Sequence, residues 1–137
     1  MNYFETFIQV APDYPAKAAV VPAARGEKKS IAMLEFELLS GKPYFYTQEE
    51  LQFEVHLRHK GISASDLESR RNELWAEFFS KPHACLRASS LPKKYGFGVH
   101  FDARGKISIY AVESKEYQQC TRNKGIKQLF AMRSQRV

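Results

Sequence analysis

The feature that most constrains the fold is a pair of alternating segments in the second half of the chain. Residues 96–102 and 106–112 alternate apolar and polar side chains, and the sequence Asp-Ala-Arg-Gly separates them. Gly105 can take the positive φ that a tight turn at this point needs. The pattern therefore predicts a β-hairpin.

Strand parity decides which side chains of this hairpin face the core. The side-chain period of a strand is two, so Phe97, Val99 and Phe101 share one face. Because that face is aromatic and aliphatic, we expect it to be buried. His100 and Asp102 then point to the other side.

The remaining elements complete an α+β pattern. A helical apolar period from Ser63 or Ser65 to Ser80 predicts a helix that ends before Pro82. Ser114 is placed to cap a last helix over residues 115–120, and a resumption of this helix at Ile126 stays open. Alternating residues predict four further strands, at 3–10, 30–39, 53–57 and 84–88.

The predicted architecture is one α+β domain over residues 1–137, with elements in the order β-β-β-α-β-β-β-α. It has an antiparallel sheet of about five to six strands and helices mainly on one face. Thr47 and Glu50 form a capping box, which indicates a helical turn before the third strand. The proline-rich segment 11–29 is predicted to be a long loop.

Composition places the chain among globular proteins. Hydrophobic residues make up 44% of the 137 positions, enough for a core. No apolar run approaches the roughly 18 residues of a membrane span, and the N-terminus lacks the pattern of a signal peptide. Two widely spaced cysteines, Cys85 and Cys120, suggest no disulfide framework, so we expect a cytoplasmic location.

The net charge of +6 is concentrated at the C-terminus. Five of the 21 basic residues follow Glu116, and none of the 15 acidic residues does. The body is therefore nearly neutral, and a basic tail begins at about residue 121. Such a tail can dock on its own sheet or bind a partner, an acidic membrane surface or RNA.

Residues 93–101 nearly spell the ribonucleoprotein motif of RNA-recognition sheets. The aromatic residue that should stand between Gly98 and Val99 is missing, which favours a core role for Phe97 over base stacking. Nucleic-acid binding through the basic tail together with Tyr95 and Phe97 stays an alternative, although it is not favoured.

Catalytic and metal signatures are weak. Cys85 lacks the Arg at position 91 that a phosphatase loop requires, so a small structural cysteine is expected. Four side chains on the predicted strands, Glu35, Glu37, Glu54 and His56, would converge on a metal only if those strands are adjacent. Ordinary charge pairing explains these four residues more simply, so no metal and no cofactor is predicted.

With these residues in view, the chain resembles a family of small bacterial and fungal proteins known as a domain of unknown function. The resemblance implies no activity, substrate or cofactor. It implies that Arg87, Lys94, Tyr95 and His100 belong to a shared pattern that points to a site. The resemblance covers nearly the whole chain and is carried by NYFETFI (2–8), PYFYT (43–47), CLRASSL (85–91), KYGFGVH (94–100), GKISIY (105–110), Glu113-Ser114 and MRSQR (132–136).

Three functions remain open at this point. The favoured one is a non-catalytic small-ligand or anion-binding domain, in which Arg87 and Lys94 hold an anionic group and Tyr95 stacks on it. The second is nucleic-acid binding, and the third is a small enzyme with His100 as acid or base.

Overall fold

The computed structural model describes residues 3–23, 26 and 28–134. Arg136 of the predicted basic tail and residues 24, 25 and 27 of the predicted loop lie outside the described residues. The described residues form ten elements in an α+β arrangement. They are β1 (Thr6–Gln9), α1 (Ile31–Gly41), α2 (Gln48–Lys60), α3 (Ala64–Phe78), a 3-10 turn (Leu86–Ala88), a π-helical turn (Leu91–Tyr95), β2 (Phe97–Phe101), β3 (Ile107–Ala111), α4 (Lys115–Arg122) and β4 (Lys127–Phe130).

The sheet has four strands in the order β3-β2-β1-β4. β1 pairs antiparallel with β2 and parallel with β4, and β2 pairs antiparallel with β3. The sheet is therefore mixed, and the prediction of five to six antiparallel strands is wrong in both number and direction. The predicted hairpin is confirmed as β2 and β3, with the register Val99↔Ile109 at its centre.

Both faces of the sheet are covered. Phe97, Val99 and Phe101 are buried in the main core with residues of α1 and α2, as strand parity predicts. On the opposite face, Phe7 of β1 packs edge-on against Tyr117 of α4, with ring centroids 5.1 Å apart.

The segment 30–39 is a helix, and the prediction of a strand there is wrong. The Ser30 side chain accepts a hydrogen bond from the Met33 amide and caps the helix. The buried residues Ala32, Glu35 and Leu39 follow a helical spacing of three and four. The apparent alternation arises because further apolar residues of α1 are half-buried on its other sides.

The predicted strand at 53–57 is also wrong, since these residues lie in the middle of α2. The capping box is confirmed: Glu50 Oε1 accepts from the Thr47 amide at 2.9 Å, and Thr47 Oγ1 accepts from the Glu50 amide at 3.3 Å. This cap begins a helix of 13 residues rather than a single turn. Leu51 and Val55 then face the core one turn apart.

The predicted strand at 84–88 is wrong as well, because Leu86–Ala88 forms a 3-10 turn. The predicted helix at 63–80 is confirmed as α3, with Ser63 as its cap. No residue of α3 is fully buried. The helix lies outside α2, where the Trp75 ring packs edge-on against Phe53 at 5.0 Å between centroids.

The first strand is shorter than predicted, since β1 covers residues 6–9 and not 3–10. Glu5 has φ +44°, a left-handed conformation that an extended strand does not contain. Phe4 is 57% exposed as a result.

The C-terminal segment enters the sheet. The predicted last helix is confirmed as α4, but its resumption at Ile126 is wrong, because residues 127–130 form β4 beside β1. The Ala131 amide extends this pairing by donating to the Gln9 carbonyl at 2.9 Å. As far as residue 131, the basic segment is thus part of the fold rather than a free tail.

The described part of the long loop is held against the body. The Ala11 amide donates to the Pro92 carbonyl and the Val20 amide to the Tyr95 carbonyl, both at 2.9 Å. The Ala19 amide also donates to Glu113 Oε2 at 2.6 Å. Among the described residues, no helix is long and apolar enough to cross a membrane.

Candidate functional site

The structure places the four site residues predicted from the sequence on three elements: the 3-10 turn, the π-helical turn and β2. Arg87 belongs to the 3-10 turn, and its Nε donates to the Phe130 carbonyl at 2.8 Å. The Arg87 carbonyl accepts from the Met132 amide at 2.8 Å. These contacts attach the end of β4 to the 3-10 turn, so Arg87 has a structural role in addition to any binding role.

Lys94 and Tyr95 lie in the π-helical turn before β2. The Lys94 side chain is exposed, and the Tyr95 ring is half-buried against the main core. Within the described part of the chain, no hydrogen bond or ion pair joins either side chain to Arg87. Phe97 is only 7% exposed, so its ring presents no free face for a nucleic-acid base.

His100 lies on the opposite face of the sheet, in a cluster with two tyrosines. The Tyr44 hydroxyl lies 2.7 Å from His100 Nδ1 and 2.7 Å from the Tyr110 hydroxyl. Burial lowers the pKa of His100, and the nearby Asp102 carboxylate opposes that shift. Burial and the bond to Tyr110 raise the pKa of Tyr44. His100 therefore has polar partners, and its binding or catalytic role stays a prediction.

The glycines beside these residues are occupied by the protein's own rings. A Cβ atom at Gly98 would lie 2.7 Å from Tyr117 Cε2 and closer still to the Phe7 ring. Gly96 has φ +80°, and a Cβ there would lie 2.7 Å from the Tyr14 ring. The close backbone approach that these glycines permit is therefore used for internal packing.

A different region has the properties of a binding site. A surface groove, which we name the Glu35 groove, runs between α1, α2 and the segment 83–90. It has two adjoining lobes of about 270 and 250 Å³ that share Ile31, Glu35, Gln52 and Ala84. The histidine lobe adds Val55, His56, His59, Phe78 and His83, and the serine lobe adds Cys85, Leu86, Ala88, Ser89 and Ser90.

The Glu35 carboxyl group lies at the junction of the two lobes. The residue is 7% exposed, and its Oε1 accepts a hydrogen bond from Ser89 Oγ at 3.0 Å. Within the described residues, no protein donor reaches Oε2. Burial raises the pKa of Glu35 from 4.5 to about 7, and the bond from Ser89 opposes the rise only in part.

Three aromatic rings form the wall of the histidine lobe. The Phe78 ring is stacked on His83, with 3.9 Å between centroids, and is tilted by 37° against His56, at 4.6 Å. His83 Nε2 is 2.6 Å from the Phe78 carbonyl, so this nitrogen carries the proton and donates. Burial lowers the pKa of His56, and so do the charges of Lys60, His83 and His59. The neutral form of the His56 imidazole is therefore favoured.

The metal patch considered from the sequence is divided by the fold. Glu35 and His56 share the groove, but Glu37 pairs with Lys29 at 2.9 Å and Glu54 with Arg71 at 2.6 Å. In the part of the chain that the structure describes, no group of three or more His, Cys, Asp or Glu side chains is arranged to hold a metal ion.

Sequence reasoning missed the burial of Glu35 because a strand would have placed it on the polar face. A signal was present: Ala32, Glu35 and Leu39 have the spacing of one helix face. A carboxylate on the apolar stripe of a helix is unusual and points to a site.

Fold and groove together define the chain as an α+β protein with a mixed four-stranded sheet and a buried carboxyl group in an open groove. The family of unknown function DUF6157 matches residues 1–137, and the chain belongs to that family. This confirms the resemblance to a family of unknown function, and the bacterial and fungal origin stays a prediction. Neither the curated proteins nor the solved structures contain a match to this chain.

Proposed function

We propose that this protein is a non-catalytic small-ligand-binding domain and that the Glu35 groove is its binding site. The observation that carries the proposal is the position of the Glu35 carboxyl group, which is buried, lines both lobes of the groove and, among the described residues, is hydrogen-bonded to the protein through one oxygen only.

Physical chemistry supports binding at this point. Buried polar groups are almost always hydrogen-bonded, and leaving one without a partner costs about 1–3 kcal/mol. A ligand that donates to Glu35 Oε2 removes this cost. The lobe of about 270 Å³ has room for a ligand the size of one substituted ring, with apolar walls provided by Ile31, Val55 and Phe78.

The geometry favours binding over catalysis. Ser89 Oγ donates to Glu35 Oε1, but among the described residues no third group orients this pair as a nucleophilic site requires. Within the described residues, no imidazole forms a hydrogen bond with either Glu35 or Ser89. A buried carboxyl alone offers one proton-transfer group without the second group that most acid–base reactions need.

A screen of a fragment library with cationic, neutral and anionic members tests the proposal. Binding is followed by thermal shift and by NMR, with the unmodified chain beside two variants. Ala84→Phe fills the groove from an exposed position shared by both lobes, and it should abolish the binding of groove ligands. Ala103→Phe is the matched control, because Ala103 is exposed in the β2–β3 turn. Hits that survive Ala84→Phe would contradict the proposal.

The same screen tests the anion site predicted from the sequence. Anionic fragments that bind through Arg87 and Lys94 should be lost in Arg87→Ala and Lys94→Ala and retained in Ala84→Phe. That result would show that the binding site includes Arg87 and Lys94 and is not the Glu35 groove. A cytoplasmic location is part of our proposal, and the free thiols of Cys85 and Cys120 are compatible with it.

A further inference from the structure

We infer that the ligand of the Glu35 groove is a compact organic cation, whose charged nitrogen donates to Glu35 Oε2 while its apolar body lies in the histidine lobe. The inference rests on the proposed function and names the chemical class of ligand that this site selects.

The first argument is the missing counter-charge. No described Lys or Arg lines either lobe of the groove, and on neighbouring surfaces Lys29 pairs with Glu37 and Arg71 with Glu54. Arg87, two residues before Ser89, donates to the Phe130 carbonyl. Among the described residues, no Lys or Arg forms an ion pair with Glu35. The groove thus contains one buried acid and no protein cation to balance it.

The second argument is energetic. An ionised carboxylate in a poorly solvated site is costly unless a cation accompanies it, and burial accordingly raises the pKa of Glu35 to about 7. A neutral ligand satisfies the free oxygen only as a hydrogen-bond donor. A cationic ligand donates and also neutralises the charge, and charge-assisted hydrogen bonds are roughly twice as strong as neutral ones.

The third argument is the shape and polarity of the lobe. Val55 is buried in its floor, while Ile31 is 52% exposed at its rim. Beside them lie the rings of His56, Phe78 and His83. A flat hydrocarbon body fits between these surfaces, with its charged end directed at Glu35.

The other titratable groups that face the site reinforce the selectivity. His56 and His59 project from α2, while His83 and Cys85 follow α3. Lys28, Lys29 and Arg58 line a neighbouring cavity that also includes His59. Burial lowers the pKa of His56, which favours the neutral imidazole that does not repel a cation. Protonation of Glu35 as the pH falls removes its attraction, so cation binding should strengthen as the pH rises.

Three isosteric ligands test the inference: benzylammonium, benzyl alcohol and benzoate, each titrated into the full chain at pH 8 and pH 5 at constant ionic strength. We expect benzylammonium to bind at least tenfold more tightly than benzyl alcohol at pH 8, and benzoate to bind more weakly than both. Because Glu35 must be ionised, benzylammonium affinity should fall roughly 100-fold from pH 8 to pH 5.

Two carboxamide variants test whether the preference for benzylammonium depends on the Glu35 carboxyl group. Glu35→Gln should remove the preference for benzylammonium over benzyl alcohol. Glu37→Gln, on the same helix but exposed and paired with Lys29, should keep it. A readout on the unmodified chain avoids any folding defect: saturating benzylammonium should lower the Glu35 carboxyl pKa, measured by carbon-13 NMR.

The outcomes separate the inference from the proposed function. If benzyl alcohol or benzoate binds as tightly as benzylammonium and Ala84→Phe abolishes that binding, the ligand class is wrong and the groove remains a binding site. An unchanged Glu35 pKa under saturating benzylammonium would also overturn the ligand class. If no member of the fragment library binds the groove, the proposed function itself fails.

Discussion

The two regions that attract attention in this molecule use their unusual residues in opposite ways. The start of the β2–β3 hairpin, residues 96–101, carries glycines and aromatic residues in a dense pattern, and the structure fills the space beside Gly96 and Gly98 with Phe7, Tyr14 and Tyr117. In the Glu35 groove, by contrast, a buried carboxyl oxygen has no protein donor among the described residues.

This difference teaches that a distinctive motif and an open site are separate properties. Glycine permits close approach of any atom, including atoms of the same chain, so a glycine-rich strand indicates tight packing as readily as ligand binding. A buried polar group with an unfilled hydrogen-bonding position is the stronger indicator of a binding site. Its burial costs free energy, and a ligand that forms the missing hydrogen bond offsets this cost.

The largest expected effect concerns the pH dependence of stability at Glu35. The pKa of Glu35 is about 7 in the folded chain and has its ordinary value of 4.5 when unfolded. The folded state therefore binds the extra proton between these values, and stability falls as the pH rises through this window. The loss should reach about 3 kcal/mol by pH 8.

Glu35→Gln should remove this loss, because the carboxamide stays neutral. The measurement is the free energy of urea unfolding from pH 4.5 to 8, taken as the difference between Glu35→Gln and the unmodified chain. The difference cancels the contributions of His56 and His100, whose lowered pKa values act in the opposite direction. Glu37→Gln is the control. If the difference in unfolding free energy between Glu35→Gln and the unmodified chain does not change with pH, the Glu35 carboxyl group is not buried.

The next effect tests whether the hairpin glycines are packing devices. Gly98→Ala places a methyl group against Phe7 and Tyr117, and overpacking of this kind should cost about 2 kcal/mol. Gly41→Ala is the matched control, because nothing lies within 4 Å of its added Cβ. Urea midpoints measure both variants. A Gly98→Ala chain as stable as the control would show that the space is free for a ligand.

A smaller effect is expected in the tyrosine–histidine cluster. Tyr44→Phe removes hydrogen bonds to His100 and Tyr110, and the partners are only half-buried, so the cost should be about 1 kcal/mol. Tyr46→Phe is the control, since the Tyr46 hydroxyl makes no hydrogen bond in the part of the chain that the structure describes. Equal losses in the two variants would contradict a structural role for the cluster.

The smallest effect is expected at Lys94. Its side chain is exposed, and Lys94→Ala should change stability by less than about 0.5 kcal/mol. It should also leave ligand binding in the groove unchanged, as measured by calorimetric titration. If Lys94→Ala loses ligand binding in the groove, Lys94 and the Glu35 groove belong to one site, which would contradict our separation of the two regions.

The sequence predicts the parts of this fold that local rules determine. The hairpin follows from alternation and a turn sequence, and the capped starts of α2, α3 and α4 follow from the capping residues Thr47, Ser63 and Ser114. These features depend on neighbours within a few residues.

The errors have a common physical cause. α1 and α2 are apolar on several sides, so their sequences mimic the alternation of a strand. The edge strand β4 contains a lysine and is partly exposed. It forms a strand because its backbone pairs with the edge of β1. Such tertiary pairing overrides local pattern. The mistaken assignment of α1 as a strand also placed Glu35 on a polar face, so the groove was missed although the spacing of Ala32, Glu35 and Leu39 fits one face of a helix.

The position of β1 has a consequence for the order in which the protein folds during synthesis. This strand is made before the other three strands of the sheet, yet its two neighbours are residues 97–101 and 127–130. A nascent chain therefore holds an unpaired β1 until residues 97–101 have been made. The most sequence-distant contacts are formed last, which is the arrangement associated with slow folding and exposure to aggregation.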